Sequence, residues 1–548
     1  GGAGANCLIK TDAEGNAQWE NIFAGGNRGG EASLASAKQT TDGGYIIAGA
    51  HDFSNILLVK RVADDICSDK NLGLPRDEHT SQGGQVNVAN GNMYIIRTDF
   101  SKPSRDVFPF EFTRSYNSYN KQNGPFGFGW THNFNVTISP PINGESLAII
   151  HDIDGRLIYF TQNTDGSFQP VGGEHSTLTG KEPMYLWEKK NGMTYHLGSP
   201  GPNEYVLYYI SDKNGNEVIC DWERTKVGEG IMRLTGLSDL VSISYKFSYD
   251  DRDHITRIED SAKRVFTYEY DDKDNLIKVT DPVGVVTAYE YNDPNDLHNI
   301  TKQTVDTLVY TYSYDDRGRC IKAAGSDGKA GYSFEYKSNE GKTVITDSRG
   351  NVSTKYYNSG GKVTKIAYPD GSEGTSTWDE SMNRIAETLQ DGGTWRYEYD
   401  VNGNVLKTID PLGYQKDMTY DEKDNLTSLM DEMGNTTRYD YDSRGNLTTV
   451  LNPDGTVLAF TYNTRGQPLI YTDSLGQTTT ATYDSYNGNL LSLTDPKGNT
   501  ITYSHDFLGR VTSMTDARGN TTGYEYDALD RVIKIKDTLN GLINTTHK

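Results

Sequence analysis

The sequence predicts an all-β protein, a long and laterally paired sheet assembled from short hairpin repeats. Three observations carry this expectation. A 21-residue unit anchored on Tyr-Asp recurs from about residue 249 to the end of the chain. Fifty-seven Gly punctuate the sequence with few helix-favouring runs between them. The aromatic residues are mostly Tyr, 37 against 16 Phe and 6 Trp. Sparse Pro and the lack of a three-residue Gly period fit neither disorder nor collagen.

Only 35% of the 548 residues are apolar and the mean hydropathy is -0.67, so a single large core is not expected. Tyr suits a sheet whose faces are both partly wet, because its ring covers backbone while its hydroxyl meets water. The net charge of -22 argues against a nucleic-acid surface, which needs clustered Lys and Arg. Cys7, Cys67, Cys220 and Cys320 are far apart with no CxxC, so neither a zinc ribbon nor a disulfide scaffold is written here. No apolar run approaches the ~20 residues of a membrane-spanning helix. The opening Gly-Gly-Ala-Gly reads as a fragment or a processed product.

The repeat is clearest when the second aromatic of each Tyr-x-Tyr-Asp unit is taken as its anchor. These are Tyr249, Tyr270, Tyr291, Tyr314, Tyr336, Tyr357, Trp378, Tyr399, Tyr420, Tyr441, Tyr462, Tyr483, His505 and Tyr526. Most steps are 21 residues, with one of 23 and two of 22. In the unit 397–417, Tyr397 and Tyr399 lie on one strand face. Asp400 and Gly403 frame an Asx-type turn. A strand over Val405 to Ile409 follows, and Asp410-Pro-Leu-Gly413 makes the second turn. A unit this short cannot bury its own face, so successive units must pair laterally. Anchors at a fixed register are expected to stack ring on ring, each pair contributing roughly 0.2–1 kcal/mol.

Upstream the texture changes. Residues 1–60 read as a propeller-like fragment of alternating strands and Asp-Gly turns, 61–84 as a linker, 85–165 as a distinct β region, 166–245 as degenerate hairpins and 246–548 as the repeats proper.

The repeats resemble the YD repeats of Rhs proteins, teneurins, bacterial wall-associated proteins and toxin-complex cocoon proteins. Asp271-Asp-Lys-Asp-Asn275 through Asp281-Pro-Val-Gly284 is similar to both halves of that motif, and Asp315-Asp-Arg-Gly-Arg319 to its first turn. The likeness extends to Asn87-Val-Ala-Asn-Gly-Asn-Met-Tyr94, Phe112-Thr-Arg-Ser-Tyr-Asn-Ser118, Gly124-Pro-Phe-Gly-Phe-Gly-Trp-Thr-His-Asn133 and Asp154-Gly-Arg-Leu-Ile-Tyr159, which resemble the region ahead of the repeats in Rhs-type proteins. The resemblance implies a sheet that coils into a hollow shell around a C-terminal toxic segment. The repeats run on to Lys548, and neither the self-cleaving core segment of that family nor a toxin is recognised.

No active site is expected. The recurrent Asp250, Asp315, Asp400, Asp421 and Asp442 are turn residues. Asp152-Ile-Asp-Gly155 and Asp271-Asp-Lys-Asp-Asn275 are pieces of a calcium loop without its remaining ligands, so no cofactor is expected and calcium is the one metal they would suit. His132 is expected to order a strand end and His505 to replace an anchor Tyr. Gly341-Lys-Thr343 lacks the leading Gly of a phosphate loop. Sequons at Asn135, Asn299, Asn351, Asn425, Asn435, Asn446, Asn520 and Asn544 arise partly from Gly-Asn-x-Thr turns, and would take glycans in a suitable secretory host. Two readings follow: a secreted or surface-exposed shell enclosing its own C-terminal cargo, or an adhesion or filament scaffold that meets surface partners or pairs through sheet edges.

Overall fold

The computed structural model describes residues 85–102, 110–141, 146–201, 204–224, 232–239, 241, 243–325, 331–537 and 541–544, with the strand backbone at 6–11, 17–23, 33–39, 45–51, 55–61 and 81–82. The chain divides into two compact units, Gly1–Ser68 and Asp69–Lys548. In the first unit Asn6–Thr11 pairs with Ala17–Phe23, and Ser33–Gln39, Tyr45–His51 and Asn55–Arg61 form an antiparallel three-stranded sheet. The linker expected at 61–84 lies almost wholly outside the described residues.

In the second unit both turns of the repeat are the same device. In the unit around Tyr399, Gly403 N–H donates to Asp400 O and Asp400 N–H to Asn404 O, with Gly403 at φ 74°. The second turn repeats this through Gly413, Asp410 and Tyr414. This is the three-residue hairpin in which a left-handed residue follows a type I turn. Chained end to end, these hairpins give one antiparallel sheet from Thr137–Ser139 to Gly541–Asn544, 39 strands among the described residues, each paired with its sequence neighbours. The sheet runs without a break through residues 165 and 245, because the degenerate hairpins keep strand and turn while losing the anchor motif.

At its start the sheet bends closed. Thr137 pairs with both His151 and Val206, so the strands between 137 and 211 form a ring. Alternate residues on those strands are buried, among them Ile150, Phe160, Trp187, Leu197 and Leu207, as a face turned onto a closed core requires.

Ahead of the ring, Tyr94–Lys102, Phe110–Asn117 and Trp130–His132 form a separate three-stranded sheet. Its apolar residues meet the first repeats. Phe100 lies 4.7 Å from Tyr245 and 4.6 Å from Phe266 between ring centroids. Phe112 packs on Phe247 at 5.4 Å, Phe126 on Tyr268 at 4.9 Å and Trp130 on Tyr289 at 5.2 Å. One face of the sheet from about 244 to 345 is therefore dry, where the sequence led us to expect two partly wet faces. Short-range pattern holds no sign of a second layer supplied from more than a hundred residues upstream.

One ion pair is sealed inside this joint. Arg114 grips Asp99 through Nε at 2.6 Å and Nη2 at 2.9 Å, and Tyr268 OH donates to the same carboxylate at 2.6 Å. Arg114→Met leaves a buried carboxylate without its cation, which should lower the unfolding free energy by about 3–5 kcal/mol. The shift of the urea midpoint measures this, with exposed Arg396→Met expected within about 0.5 kcal/mol of the parent protein.

Candidate functional surface on the inner face of the repeats

The turn carboxylates hold their own hairpins. Asp400 Oδ1 accepts the N–H groups of Asn402 and Asn404 at 2.9 and 2.8 Å, and Oδ2 accepts Asn404 Nδ2 at 2.9 Å. Position i+4 supplies a side-chain N–H in unit after unit, from Asn425, Asn446, Arg319, Arg510 or Arg531. Where Gly is missing from the left-handed site an Asp often takes it, as at Asp274, Asp424 and Asp530. Asp and Asn tolerate that conformation better than other side chains. The carboxylate then links units: Asp424 Oδ1 accepts Asn402 Nδ2 at 3.0 Å and Asn404 Nδ2 at 2.6 Å from the preceding turn.

The anchors do not stack on one another. Successive anchors sit two strands apart, close to 10 Å, beyond the reach of ring pairs. Their link is a hydrogen bond. Tyr420 OH donates to Val405 O, Tyr441 OH to Leu426 O and Tyr462 OH to Leu447 O, each 15 residues back and at 2.7–3.0 Å. The same span serves Tyr249, Tyr270, Tyr291, Tyr399 and Tyr526. Tyr314 spans 14 residues and Tyr336 spans 16, while Trp378 uses its Nε1 on Val363 O. Tyr357 OH instead reaches Val88 O. Tyr483 and His505 hold the same strand position, paired with Leu490 and Val511.

A β-bulge falls at the anchor in most units, between Thr419 and Tyr420 for example, and such a bulge re-aims the side chain. Trp222 meets both conditions, with a bulge at its own position and Nε1 donating to Leu207 O at 2.8 Å over 15 residues. Sequence reading missed it because the Tyr-Asp letters are gone. Burial holds the hydroxyls of Tyr270, Tyr291, Tyr314 and Tyr336 well above the ordinary phenol pKa, so they remain donors.

The register identifies one face throughout. Tyr268 stands opposite Val279, which stands opposite Thr287, and both Tyr268 and Val279 are buried beneath the upstream sheet. The same positions later are Tyr439, Val450 and Leu458, or Tyr503, Met514 and Thr522. All of these are only half-buried. Among the described residues after Val363, Leu508 is the one fully buried apolar side chain. An apolar stripe therefore continues past the end of the layer that covers it.

Turns from distant parts of the sheet also meet. His175 Nε2 lies 3.0 Å from Asn383 Oδ1, and Lys190 Nζ donates to Asn404 Oδ1 at 2.9 Å. Lys213 Nζ donates to Gly445 O, Asn216 Nδ2 to Arg465 O and Arg264 Nη1 to Asp530 Oδ1 at 2.5, 3.0 and 2.7 Å. In each case a side chain from 175–264 meets a turn of 379–531, across 208 to 266 residues.

The remaining candidates resolve into structure. Asp152 accepts from Ile153 N–H and Lys189, and Asp154 from Arg156. Asp271 holds its own turn. No group of three or more His, Cys, Asp or Glu suited to a metal occurs among the described residues. His132 sits inside the aromatic core, 5.1 Å from Phe112, and burial lowers its pKa to about 3. Thr343 OH donates to Val88 O, which gives the Gly341-Lys-Thr343 segment a packing role. Sequon residues Asn351, Asn425, Asn435, Asn446 and Asn520 each donate Nδ2 to the turn Asp, so the amide that a glycan needs is already engaged. Asn299 Nδ2 is likewise held, buried, by Asp293, and Asn135 Nδ2 by Thr131. The side chains of Asn544, Cys7 and Cys67 lie outside the described residues. Cys220 and Cys320 are buried free thiols, and burial pushes the Cys320 thiol up to about 12. No helix among the described residues is long and apolar enough to cross a membrane.

Residues 83–160 match the family model described as a domain of unknown function, DUF6531. Residues 249–286, 270–306, 383–415, 420–457, 441–480, 483–515 and 508–541 match that of the RHS repeat. The tRNA nuclease WapA of Bacillus subtilis (strain 168) is 26% identical over 140 residues, which make up 24% of this chain and 6% of that protein. The chain thus spans a small fraction of that relative's length. Among solved structures, TcdB2-TccC3 without its hypervariable C-terminal region aligns with a TM-score of 0.42 at 12% identity, covering 81% of this chain and 27% of that one. TcdB2-TccC3 itself aligns at 0.36 and 13% identity, covering 97% and 31%.

Two outcomes follow from this geometry. Tyr420→Phe removes one hydroxyl-to-carbonyl bond and should cost about 0.5–1.5 kcal/mol in chemical denaturation, whereas exposed Tyr414→Phe should cost nothing measurable. Hydrogen bonds from Asn435, Asn499 and Asn520 side chains, and then from backbone N–H groups, hold Asp431, Asp495 and Asp516 below the usual carboxylate pKa. A folded pKa below the unfolded value of about 3.9 means that their stabilisation is complete above that pH. It is lost as pH falls through the folded value. The thermal midpoint should therefore fall with pH below about 4, and less steeply in an Asp431→Asn, Asp495→Asn, Asp516→Asn variant.

Proposed function

Since the chain belongs to the RHS repeat family and carries a DUF6531 domain ahead of its repeats, we propose that it is part of a coiled shell whose inner face holds a polypeptide. One observation carries this reading. The apolar stripe covered by residues 86–134 in the first repeats continues uncovered over the later ones, along Met418, Leu429, Tyr439, Val450, Tyr503 and Met514. Apolar side chains left half-buried in a continuous row offer a partner a face to cover.

The path of the sheet supports the coil. It begins as a closed ring, and its turns return to earlier turns after 208 residues at His175 and after 266 at Arg264. Each course therefore takes more chain than the one inside it. The turn carboxylates and anchor hydroxyls hold hairpins together, a structural use that fits containment. A place outside the cell or at its surface, and a toxic segment as the enclosed polypeptide, are what the family resemblance implies for the complete protein.

A second reading, a self-associating extracellular scaffold, draws on the turn tips Leu412, Met433 and Leu475. These are 81, 83 and 79% exposed on one edge of the sheet and could meet another copy. Sedimentation velocity separates the two, since concentration-dependent polymers fit the scaffold and a discrete particle fits the shell.

For the shell, a passenger polypeptide joined after Lys548 should be cleaved by proteinase K about tenfold more slowly than the free passenger. The double variant Leu429→Lys, Val450→Lys should lose that protection while keeping the fold. Cleavage of the passenger at its free rate in the parent fusion would overturn the reading.

A further inference from the structure

A cavity of about 440 Å³ opens inside the DUF6531 region, between residues 119–135 and the first strands of the ring. Its walls include Tyr119, Asn120, Gln122, Asn135, Thr137 and Leu157. The volume falls within the range of small-molecule sites.

The charges in its wall are already neutralised. Lys121 Nζ donates to Ser118 O at 2.7 Å and to Asp296 Oδ2 at 2.5 Å. Asp152 Oδ1 accepts Lys189 Nζ at 3.1 Å. A phosphate or carboxylate ligand would need a cation taken from an existing pair, and a divalent cation would need oxygen ligands beyond a single paired carboxylate.

Beside Trp130, His151 and Leu157, what remains is neutral and polar. Asn120, in the wall, accepts Gln122 N–H through Oδ1 at 3.1 Å, which leaves the Nδ2 donor of its amide uncommitted. Asn135 spends Nδ2 on Thr131 Oγ1 at 3.2 Å, which leaves its carbonyl oxygen. The Gln122 amide and the Thr137 hydroxyl add donors and acceptors to the same space. Tyr119 forms one wall with its ring held still, because its hydroxyl is tied to Asn90 O at 2.6 Å. Amides and hydroxyls that both donate and accept, set beside a fixed aromatic ring, match a ligand with many hydroxyls and an apolar ring face.

We propose that this cavity binds a neutral carbohydrate, with room for roughly one or two sugar rings. The site lies wholly within the DUF6531 region, and it is independent of whether the repeats enclose a polypeptide.

Isothermal titration of the full chain with glucose, N-acetylglucosamine and maltose tests it, with inorganic phosphate and glutamate as charged comparisons. At least one sugar should bind saturably at one site, with neither anion competing. Gln122→Ala lies in an exposed loop and Asn120→Ala removes a single amide. Each should weaken binding about 3- to 10-fold with an unchanged circular dichroism spectrum. The inference is overturned if no sugar saturates at tens of millimolar, if phosphate or glutamate binds more tightly, or if both substitutions leave the affinity unchanged.

Discussion

A sheet one layer thick has two faces and no interior, and a 21-residue hairpin cannot supply a second layer for itself. That constraint shapes the rest of the protein. Lateral pairing satisfies the backbone of each hairpin with its neighbours. The anchor Tyr then ties one hairpin to the next by a bond to a carbonyl 15 residues back, as Tyr420 does to Val405. Such a bond needs little burial, which is why it can repeat along a half-exposed sheet.

Two regimes of stabilisation result. In the first repeats Phe247, Phe266, Tyr268 and Tyr289 are buried under the upstream strands, and a fully buried apolar side chain contributes about 1.5–3 kcal/mol. Beyond Val363 that term falls away, and hydroxyl, amide and carboxylate bonds of about 0.5–1.5 kcal/mol each take over. The early repeats are therefore the anchored end of the array, and the later ones depend on their neighbours, as in a nearest-neighbour solenoid.

The net charge of -22 has a local origin. Much of it is turn Asp, each carboxylate accepting backbone N–H groups within its own hairpin. The same chemistry joins distant courses, where Arg264 and Arg510 both reach Asp530 at 2.7 and 2.9 Å. A left-handed Asp in place of Gly costs some backbone strain, and here it serves as the acceptor for two arginines from different parts of the sheet. Acidic composition is in this way a consequence of turn chemistry more than a signal of a charged partner.

The strands, both turns and the register of the anchors were legible in the sequence, because they depend on contacts within a few residues: Asp400 with Asn404, Gly403 at positive φ, Tyr397 two residues from Tyr399. The role of the anchors was legible only in part. Their position is written in the letters Tyr-Asp, but the choice between ring stacking and a hydroxyl bond depends on the separation of alternate strands and on a bulge that no letter marks. Trp222 shows the same limit from the other side, filling an anchor site with no motif to announce it. The sequence alone determined a repeating sheet, and its low apolar share argued against the one large core that runs from Val86 to Ile345. Tertiary structure decided that the sheet closes at Thr137, that residues 86–134 dry one face of the early repeats, and that Arg264 meets Asp530. Those contacts join residues scores to hundreds of positions apart, and local pattern carries no information about which distant surfaces the curvature of a sheet will bring together.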